Sequence, residues 1–392
     1  MKIAIMGFGT VGTGVEEILF KKKESLLKNG FDIEIDRILI RDKDKKRSPL
    51  KSDLVFTDEF DEILNSQVDT VIDVTSSLEE TFERIVSLME AGKNIVTANK
   101  AVVSKYFEKL NALAKENKVY FSYEASVGGA IPIIHPIMEE IFFSDMNKIY
   151  GILNGTSNYI LSKMEVEGSS YDDVLKEAQD LGYAEADPTA DVGGFDAMRK
   201  IRILSSLIYN AKIDEGDIFN FGISNIKKSD FDYAKELGYS IRLIAKSKLS
   251  EGKINISVIP TFLKDNFFAK TFEGTNAVKV WGENFTCYEL KGPGAGKLET
   301  ADAIMRDLLR ILSRREISTF YDASNSYEVE NNLKSKYYVR TSKVSDELKK
   351  LIEEEKTLGQ DYHIITKEIS LDELSSAIEV DEMFIAEIEG AI

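Results

Sequence analysis

The densest group of chemically capable side chains lies between Gly182 and Lys200. Glu185, Asp187 and Asp191 stand in a segment broken by Pro188, Gly193 and Gly194, and Asp196 and Lys200 follow, four residues apart. On a helix that spacing puts both groups on one face. A solvated pair of this kind is an ordinary ion pair worth about 0.3–0.5 kcal/mol. The helix phase points elsewhere: Asp196, Lys200, Ile203, Leu204 and Leu207 fall on one side, with Arg199, Arg202 and Ser206 away from it. The pair is therefore expected at the inward end of an apolar stripe, where charge is costly unless partnered. A desolvated lysine holds its proton less tightly, which suits acid–base work. With only His135 and His363 in the chain, proton transfer is expected to fall to Lys, Asp, Glu or Tyr. His135 lies in an apolar run and reads as packed. The carboxylates themselves suit either a divalent cation or, with a lysine beside them, the ammonium group of a substrate.

A second motif lies at the N-terminus. Gly7-Phe8-Gly9-Thr10-Val11-Gly12 follows a short apolar run and precedes an amphipathic one. Glycines in G-x-G-x-x-G spacing between a strand and a helix give a tight turn, a backbone bare enough for a pyrophosphate, and helix N–H groups aimed at it. A dinucleotide, NADP or NAD, is the expected cofactor. The second strand ends Ile40-Arg41-Asp42, which offers an Arg for a 2′-phosphate and an acid for ribose hydroxyls. Lys43, Lys45, Lys46 and Arg47 follow, and the basic cluster favours NADP.

These groups need elements to hold them. Apolar runs at Lys2–Met6, Ile33–Ile40, Thr70–Val74, Asn94–Thr97 and Val119–Tyr123 alternate with helical patterns. That alternation predicts a Rossmann-type, doubly wound parallel sheet, an α/β architecture. The dinucleotide-binding domain is expected over 1–128, completed by 291–320 after the break at Gly292–Gly296. A substrate-binding and dimerisation domain of α+β type is expected over 129–290. Residues 334–392 read as a small βαβαβ module, with a helix over Glu347–Glu354.

Composition narrows the functions. The chain has 392 residues and a net charge of −17, which disfavours nucleic acid and anionic membranes as partners. One cysteine, Cys287, allows no internal disulfide and fits a cytoplasmic setting. No apolar run approaches the roughly 20 residues that span a bilayer.

Taken together, the motifs resemble homoserine dehydrogenase from residue 1 to about 320. The resemblance rests on Gly7–Gly12, Thr97-Ala98-Asn99-Lys100, the run from Tyr123 to Pro132, Gly151–Ile160, the acid–lysine segment and Gly292–Gly296. It implies NAD(P)-dependent interconversion of L-aspartate 4-semialdehyde and L-homoserine, in threonine, methionine and isoleucine biosynthesis. By resemblance Lys200 is the proton donor, and Lys100 lies where cofactor and substrate meet. Glu185, Asp191, Asp196 and Thr156 would bind substrate, the last at a turn that otherwise reads as a helix N-cap. Gly7, Phe8, Gly9, Thr10, Val11, Gly12, Arg41, Ser76, Lys100, Gly182 and Gly296 would line the cofactor. Glu124, Val127, Gly129 and Ile131 match a Na⁺ site; from the residues alone the run reads as a hinge. A homodimer is implied. The C-terminal module resembles an ACT domain shortened by one strand, and a module so shortened is not expected to support threonine feedback. Other readings are another NAD(P)-dependent amino-acid dehydrogenase, a non-catalytic dinucleotide sensor, or a Mg²⁺-dependent hydrolase, the last leaving the glycine loop without a role.

Overall fold

The computed structural model describes residues 1–42, 54–313, 321–378 and 383–389. Lys43, Lys45, Lys46 and Arg47 lie outside them. The chain forms two compact units. One comprises Met1–Phe143, Ser206–Lys212 and Gly292–Asn325; the other comprises Ser144–Ser205, Ile213–Lys291 and Ser326–Ile392.

The first unit is built on β1 (Lys2–Met6), β2 (Glu34–Leu39), β3 (Phe56–Thr57), β4 (Thr70–Asp73), β5 (Asn94–Thr97) and β6 (Phe121–Ser122). All pairings are parallel and the order is β3-β2-β1-β4-β5-β6. This is the doubly wound order in which the chain reverses direction beside β1, leaving a crevice at the strand ends. Ile3, Ile5, Ile38, Ile72 and Val96 form the core with Val15 of helix Thr10–Lys28 and Ile304 and Leu308 of helix Lys297–Leu312. The two helices touch backbone to backbone. A Cβ on Gly14 would come within 2.4 Å of the Lys297 carbonyl oxygen, so only glycine fits. Between β5 and β6 the chain forms two helices, Lys100–Lys105 and Phe107–Asn117.

Behind β6 a buried carboxylate organises the chain. Glu124 is fully buried. Its Oε1 accepts from the N–H groups of Ile133 (2.6 Å) and Ile134 (3.2 Å), and its Oε2 from that of His135 (2.8 Å). It thereby satisfies the start of helix Ile134–Glu140. Asp307 accepts from the Glu124 N–H (3.2 Å) and pairs with His135 Nε2 (2.5 Å). Burial pulls the His135 pKa down, but the Asp307 and Glu124 carboxylates outweigh it and the net shift is upward. Burial pushes the Asp307 carboxyl up. His135 is packed, as expected, and it also ties a helix to the wall behind it.

The second unit contains β7 (Met146–Ile152), β8 (Phe219–Asn220), β9 (Ser240–Ser250), β10 (Lys253–Leu263), β11 (Thr275–Gly282), β12 (Phe285–Pro293), β13 (Glu328–Val329), β14 (Lys334–Thr341), β15 (Ile352–Leu358), β16 (Asp361–Thr366), β17 (Ile369–Ser370) and β18 (Phe384–Ile388). Its sheet runs β12-β11-β7-β9-β10-β18-β14-β16-β15, with β8 and β13 on β10 and β17 on β14. The C-terminal segment thus continues the middle sheet through the short β10–β18 pairing, Thr261↔Glu387 and Phe262↔Ile388.

Two expectations are corrected. The C-terminal module is not βαβαβ but, apart from the two-residue β17, βαββαβ: the helix expected over Glu347–Glu354 stops at Leu351, and Ile352–Leu358 is a strand. Glu and Lys favour a helix there, but a hairpin turning at Gly359 (φ +64°) pairs the segment with β16 as a solvated edge strand, a position that tolerates charge. The strand taken as missing is present, so the argument from it against threonine feedback falls. Second, Arg202 and Ser206 do not face outward. Helix Phe195–Tyr209 is buried on nearly every side, and Arg202, 2% exposed, donates from Nε to the Ile213 carbonyl. Periodicity finds a buried face only when another face is wet.

Removing the Glu124 carboxylate leaves three buried N–H groups without an acceptor. Glu124→Ala should lower unfolding free energy by about 3–5 kcal/mol, read by urea denaturation; a loss within about 0.5 kcal/mol would show that the carboxylate does not organise this wall.

Candidate active site

β7 delivers the central groups. After Ile152 come Leu153 and Asn154, and Asn154 caps helix Gly155–Glu167 by accepting from the Ser157 N–H (2.7 Å) and Oγ (2.7 Å). Its amide nitrogen donates to two carboxylates, Asp191 Oδ1 (2.7 Å) and Asp196 Oδ2 (2.9 Å). Lys200 Nζ lies 2.7 Å from Asp196 Oδ2 and 2.7 Å from the Leu153 carbonyl oxygen. That carbonyl also accepts from Asn276 Nδ2 (3.1 Å). Asp196 is 1% exposed and Lys200 6%. The ammonium is thus held by fixed acceptors in a largely water-free place, where charge–charge and charge–dipole terms are strong.

The acidic segment is held as firmly. Residues Thr189–Val192 form a short helical turn. Ser157 Oγ donates to the Asp191 carbonyl (3.0 Å), the Ile223 N–H to that of Val192 (2.7 Å), and Asn220 Nδ2 to that of Gly193 (2.8 Å). Gly194 has φ +83°, and a Cβ there would come 2.6 Å from Asn220 Oδ1. Asp187 accepts from the N–H (3.1 Å) and Oγ1 (2.6 Å) of Thr189. These bonds hold its carboxyl below the usual range and make it a local cap.

Asp191, Asp196 and Lys200 therefore come together. Thr156 is one turn away, its Oγ1 donating to the Tyr183 carbonyl (2.6 Å). Glu185 is exposed; its own carbonyl accepts from Gln179 Nε2 (3.1 Å), and no hydrogen bond joins its carboxylate to the lysine cluster. Gly182 is an exposed turn residue at φ +79°. Sequence reasoning missed Asn154 as the bridge. Asn-Gly-Thr-Ser signals an N-cap, and Asn154 is one, but nothing in the local pattern shows its other end reaching residues 37 and 42 positions downstream.

In the first unit a cleft of about 620 Å³ opens at the β1 turn, lined among others by Gly7, Phe8, Gly9, Arg41, Val74 and Ser76. Thr10, Val11 and Gly12 form the first turn of helix Thr10–Lys28, which carries no acidic residue there and no capping side chain. Its N–H groups and the positive end of its dipole suit an anion. A Cβ on Gly12 would come within 2.4 Å of the Gly7 carbonyl oxygen, whereas one on Gly9 would meet nothing within 4 Å. Gly12 is thus required by packing and Gly9 leaves space.

The opposite wall is set by buried Asp73, which accepts from Thr75 N–H (3.0 Å) and Oγ1 (2.6 Å) and from Thr97 Oγ1 (2.7 Å). Burial pushes its carboxyl up against these bonds. Asn99 Nδ2 donates to the carbonyls of Thr75 (3.1 Å) and Ser77 (2.9 Å), and its Oδ1 caps helix Lys100–Lys105, which Lys100 opens. Arg41 is 71% exposed at its side chain and lies 3.8 Å from Glu80. Gly296, at φ +150°, precedes helix Lys297–Leu312.

Glu124, Val127, Gly129 and Ile131 lie in one buried loop in which Gly128 and Gly129 have φ +76° and +60°. A Cβ on Gly129 would come 2.5 Å from the Gly294 carbonyl. Among the described residues no hydrogen bond reaches the carbonyl oxygens of Val127, Gly129 or Ile131. Buried carbonyls without donors suit a hard monovalent cation. No cluster of three or more His, Cys, Asp or Glu that could hold a metal ion occurs among the described residues.

Comparison with known proteins gives a consistent result. A homoserine dehydrogenase family model matches residues 132–309, and a model of the homoserine dehydrogenase NAD binding domain matches residues 7–124. The homoserine dehydrogenase of Bacillus subtilis (strain 168) is 38% identical over 338 residues, covering 86% of this chain and 78% of that protein. That of Lactococcus lactis subsp. lactis (strain IL1403) is 35% identical, covering 90% and 86%. A homoserine dehydrogenase crystal structure from Thiobacillus denitrificans aligns at TM-score 0.89 and 29% identity, covering 99% of this chain and 98% of that one. A hyperthermophilic archaeal homoserine dehydrogenase in complex with NADPH aligns at TM-score 0.67 and 26% identity over 81% of this chain and 99% of that one.

The two glycines of the cleft should behave differently. Gly12→Ala should cost about 1–3 kcal/mol of stability through overpacking. Gly9→Ala should melt like the parent chain yet bind a dinucleotide at least about tenfold more weakly, because the methyl stands where the pyrophosphate approaches. Unchanged NADPH affinity in Gly9→Ala, read by fluorescence titration, would remove the phosphates from this turn.

Proposed function

The chain belongs to the homoserine dehydrogenase family, and from that premise we propose that Lys200 is the proton donor in the family's reaction, the NAD(P)-dependent interconversion of L-aspartate 4-semialdehyde and L-homoserine. The observation that carries this reading is the Lys200 ammonium, buried and fixed between Asp196 and the Leu153 carbonyl.

The bound nicotinamide supplies or takes the hydride. The rest falls to the chain's own groups. As the aldehyde is reduced, negative charge grows on its oxygen; Lys200 Nζ stabilises that charge and delivers the proton, and in the oxidative direction it receives it. Asp196 keeps the ammonium aimed, and Asn154 keeps Asp196 from turning. Asp191 and Asp196, with Glu185 from the loop ahead of them, suit the substrate ammonium, and Thr156 with the helix start at Asn154 suits its carboxylate. Lys100 is the second catalytic lysine, on the dinucleotide-binding unit.

The crevice at β1 fits NAD(P): a bare glycine turn, an uncapped helix start and Arg41 at its mouth. Gly7 to Gly12, Arg41, Ser76, Lys100 and Gly296, all of the first unit, are assigned to it, and Gly182 is assigned to the cofactor by the family resemblance alone. Na⁺ fits the loop of Glu124, Val127, Gly129 and Ile131, whose carbonyls would hold it while the Glu124 side chain fixes the loop's far end. The substrate is a small molecule, and no helix among the described residues is long and apolar enough to cross a membrane. A homodimer, a cytoplasmic location and a place in threonine, methionine and isoleucine biosynthesis complete the proposal.

Lys200→Met should lower kcat by about 10²–10⁴-fold with NADPH affinity unchanged. Lys200→Arg keeps the charge on a group that holds its proton too tightly to serve as an acid, so it should fold well and still lose most turnover. Near-parental kcat in a folded Lys200→Arg enzyme would end the assignment.

A further inference from the structure

A second charged site lies in the second unit, apart from the lysine cluster. Strand register assembles it. Asn255 of β10 sits opposite Lys248 of β9, Lys248 opposite Lys148 of β7, and Lys148 opposite Trp281 of β11. The next row on the same sheet face reads Ser257, Lys246, Tyr150 and Lys279. Two like charges directly opposite one another on neighbouring strands are destabilising, so the Lys148–Lys248 pair is unfavourable where it stands. Lys246 is neutralised by Glu387 (2.8 Å) and Lys279 by Glu289 (2.9 Å). Lys148 and Lys248 have no carboxylate within ion-pair distance among the described residues, and neither has Lys334, which the C-terminal segment brings to the same place. Lys148 rests instead over the Trp281 ring, 4.0 Å from its centroid.

These three lysines line a cavity of about 270 Å³. Its wall includes Asn255, 9% exposed, whose Oδ1 accepts from the Leu333 N–H (3.0 Å). That bond fixes the amide, and its Nδ2 has no partner among the described residues. A buried donor without an acceptor and three unneutralised ammonium groups meet in one pocket of a chain whose net charge is −17. Cationic side chains on an acidic protein ordinarily find carboxylates; here Lys148, Lys248 and Lys334 form no ion pair with the two carboxylates that line the same pocket, Glu387 and Glu389. Burial, then the Lys248 and Lys279 ammonium groups, pulls the Lys148 pKa down to about 8, as expected of a cation that lacks its counter-charge.

We propose that this pocket binds a small multivalent oxyanion, a metabolite carrying two or more carboxylates or a phosphate, with Lys148, Lys248 and Lys334 supplying the charge and Asn255 Nδ2 a directed hydrogen bond. The volume suits a molecule of citrate or pyrophosphate size, and the mixed lysine and amide donors suit oxygen acceptors. Glu387 and Glu389 close the far side, Glu389 bonded to Asn266 Nδ2 (2.7 Å); they set a limit on how much negative charge the pocket accepts.

The test uses the full chain saturated with NADPH, so that the dinucleotide cleft is filled. Citrate and pyrophosphate are titrated separately by calorimetry at constant ionic strength, against Lys148→Met, Lys148→Met combined with Lys248→Met, and a Lys22→Met surface control. The parent chain and the control should bind one of the two probes saturably, the single variant about tenfold and the double variant about a hundredfold more weakly. Which probe binds distinguishes a polycarboxylate from a phosphate ligand. Without any anion, Lys148→Met should melt higher than the parent, since it removes like-charge repulsion, and that readout does not depend on the probe. Equal affinity in the parent chain and the double variant, or no saturable binding of either probe, would overturn the proposal.

Discussion

An ammonium group can be kept out of water only if its acceptors are already in place. Lys200 meets that condition through two groups that arrive from different parts of the chain, the carboxylate of Asp196 one helical turn earlier and the carbonyl of Leu153 at the end of β7. Each is fixed in turn, Asp196 by Asn154 and the Leu153 carbonyl by Asn276. Much of the second unit serves this arrangement: β7 sets where Leu153 ends, the cap at Asn154 sets where the next helix begins, and Asn220 and Ile223 hold the acidic segment against it. A buried pair of this kind contributes little to stability compared with a well-packed apolar pair. Its ammonium, held between Asp196 Oδ2 and the Leu153 carbonyl, is placed as the proposed acid–base role requires, whereas a purely structural role does not call for a buried charge.

The acidic body of the protein makes its positive places informative. At the β1 turn the positive character comes from backbone: an uncapped helix start and a bare glycine turn, with Arg41 beside them. In the second unit it comes from lysines set side by side by strand register. The first arrangement suits a phosphate because the backbone fixes the shape of the site, while the second is more permissive, since lysine is a flexible point charge. Both depend on glycine or register features that tolerate little change.

Much of this was legible in the sequence, and the limits are physical. The strand, glycine turn and helix at the N-terminus are local, so six residues sufficed to read them. The Asp196–Lys200 pair was legible because helical phase is a short-range property. Asn154 was half legible: its cap is local, but its bridge to Asp191 and Asp196 is tertiary. Arg202 misled because an all-round buried helix carries no amphipathic signal. Ile352–Leu358 misled because Glu-rich edge strands and helices share composition, and only the pairing with β16 decides between them. In the row of Asn255, Lys248 and Lys148 the first pairing is a local hairpin, but that of Lys248 with Lys148 could not be read, since register between strands about a hundred positions apart is not written in either strand alone.

The central claim is that the Asp196–Lys200 pair is kept for chemistry and not for the fold. Replacing both charges together, Lys200→Met with Asp196→Leu, separates the two roles, because a buried ion pair exchanged for apolar side chains of similar volume is ordinarily neutral or stabilising. Thermal melting and homoserine oxidation measured on the same preparation give the answer. The account predicts a protein that melts at or above the parent temperature, binds NADPH as before, and turns over at least about a hundredfold more slowly per folded molecule. A double variant that melts far lower while each folded molecule keeps parental turnover would contradict it.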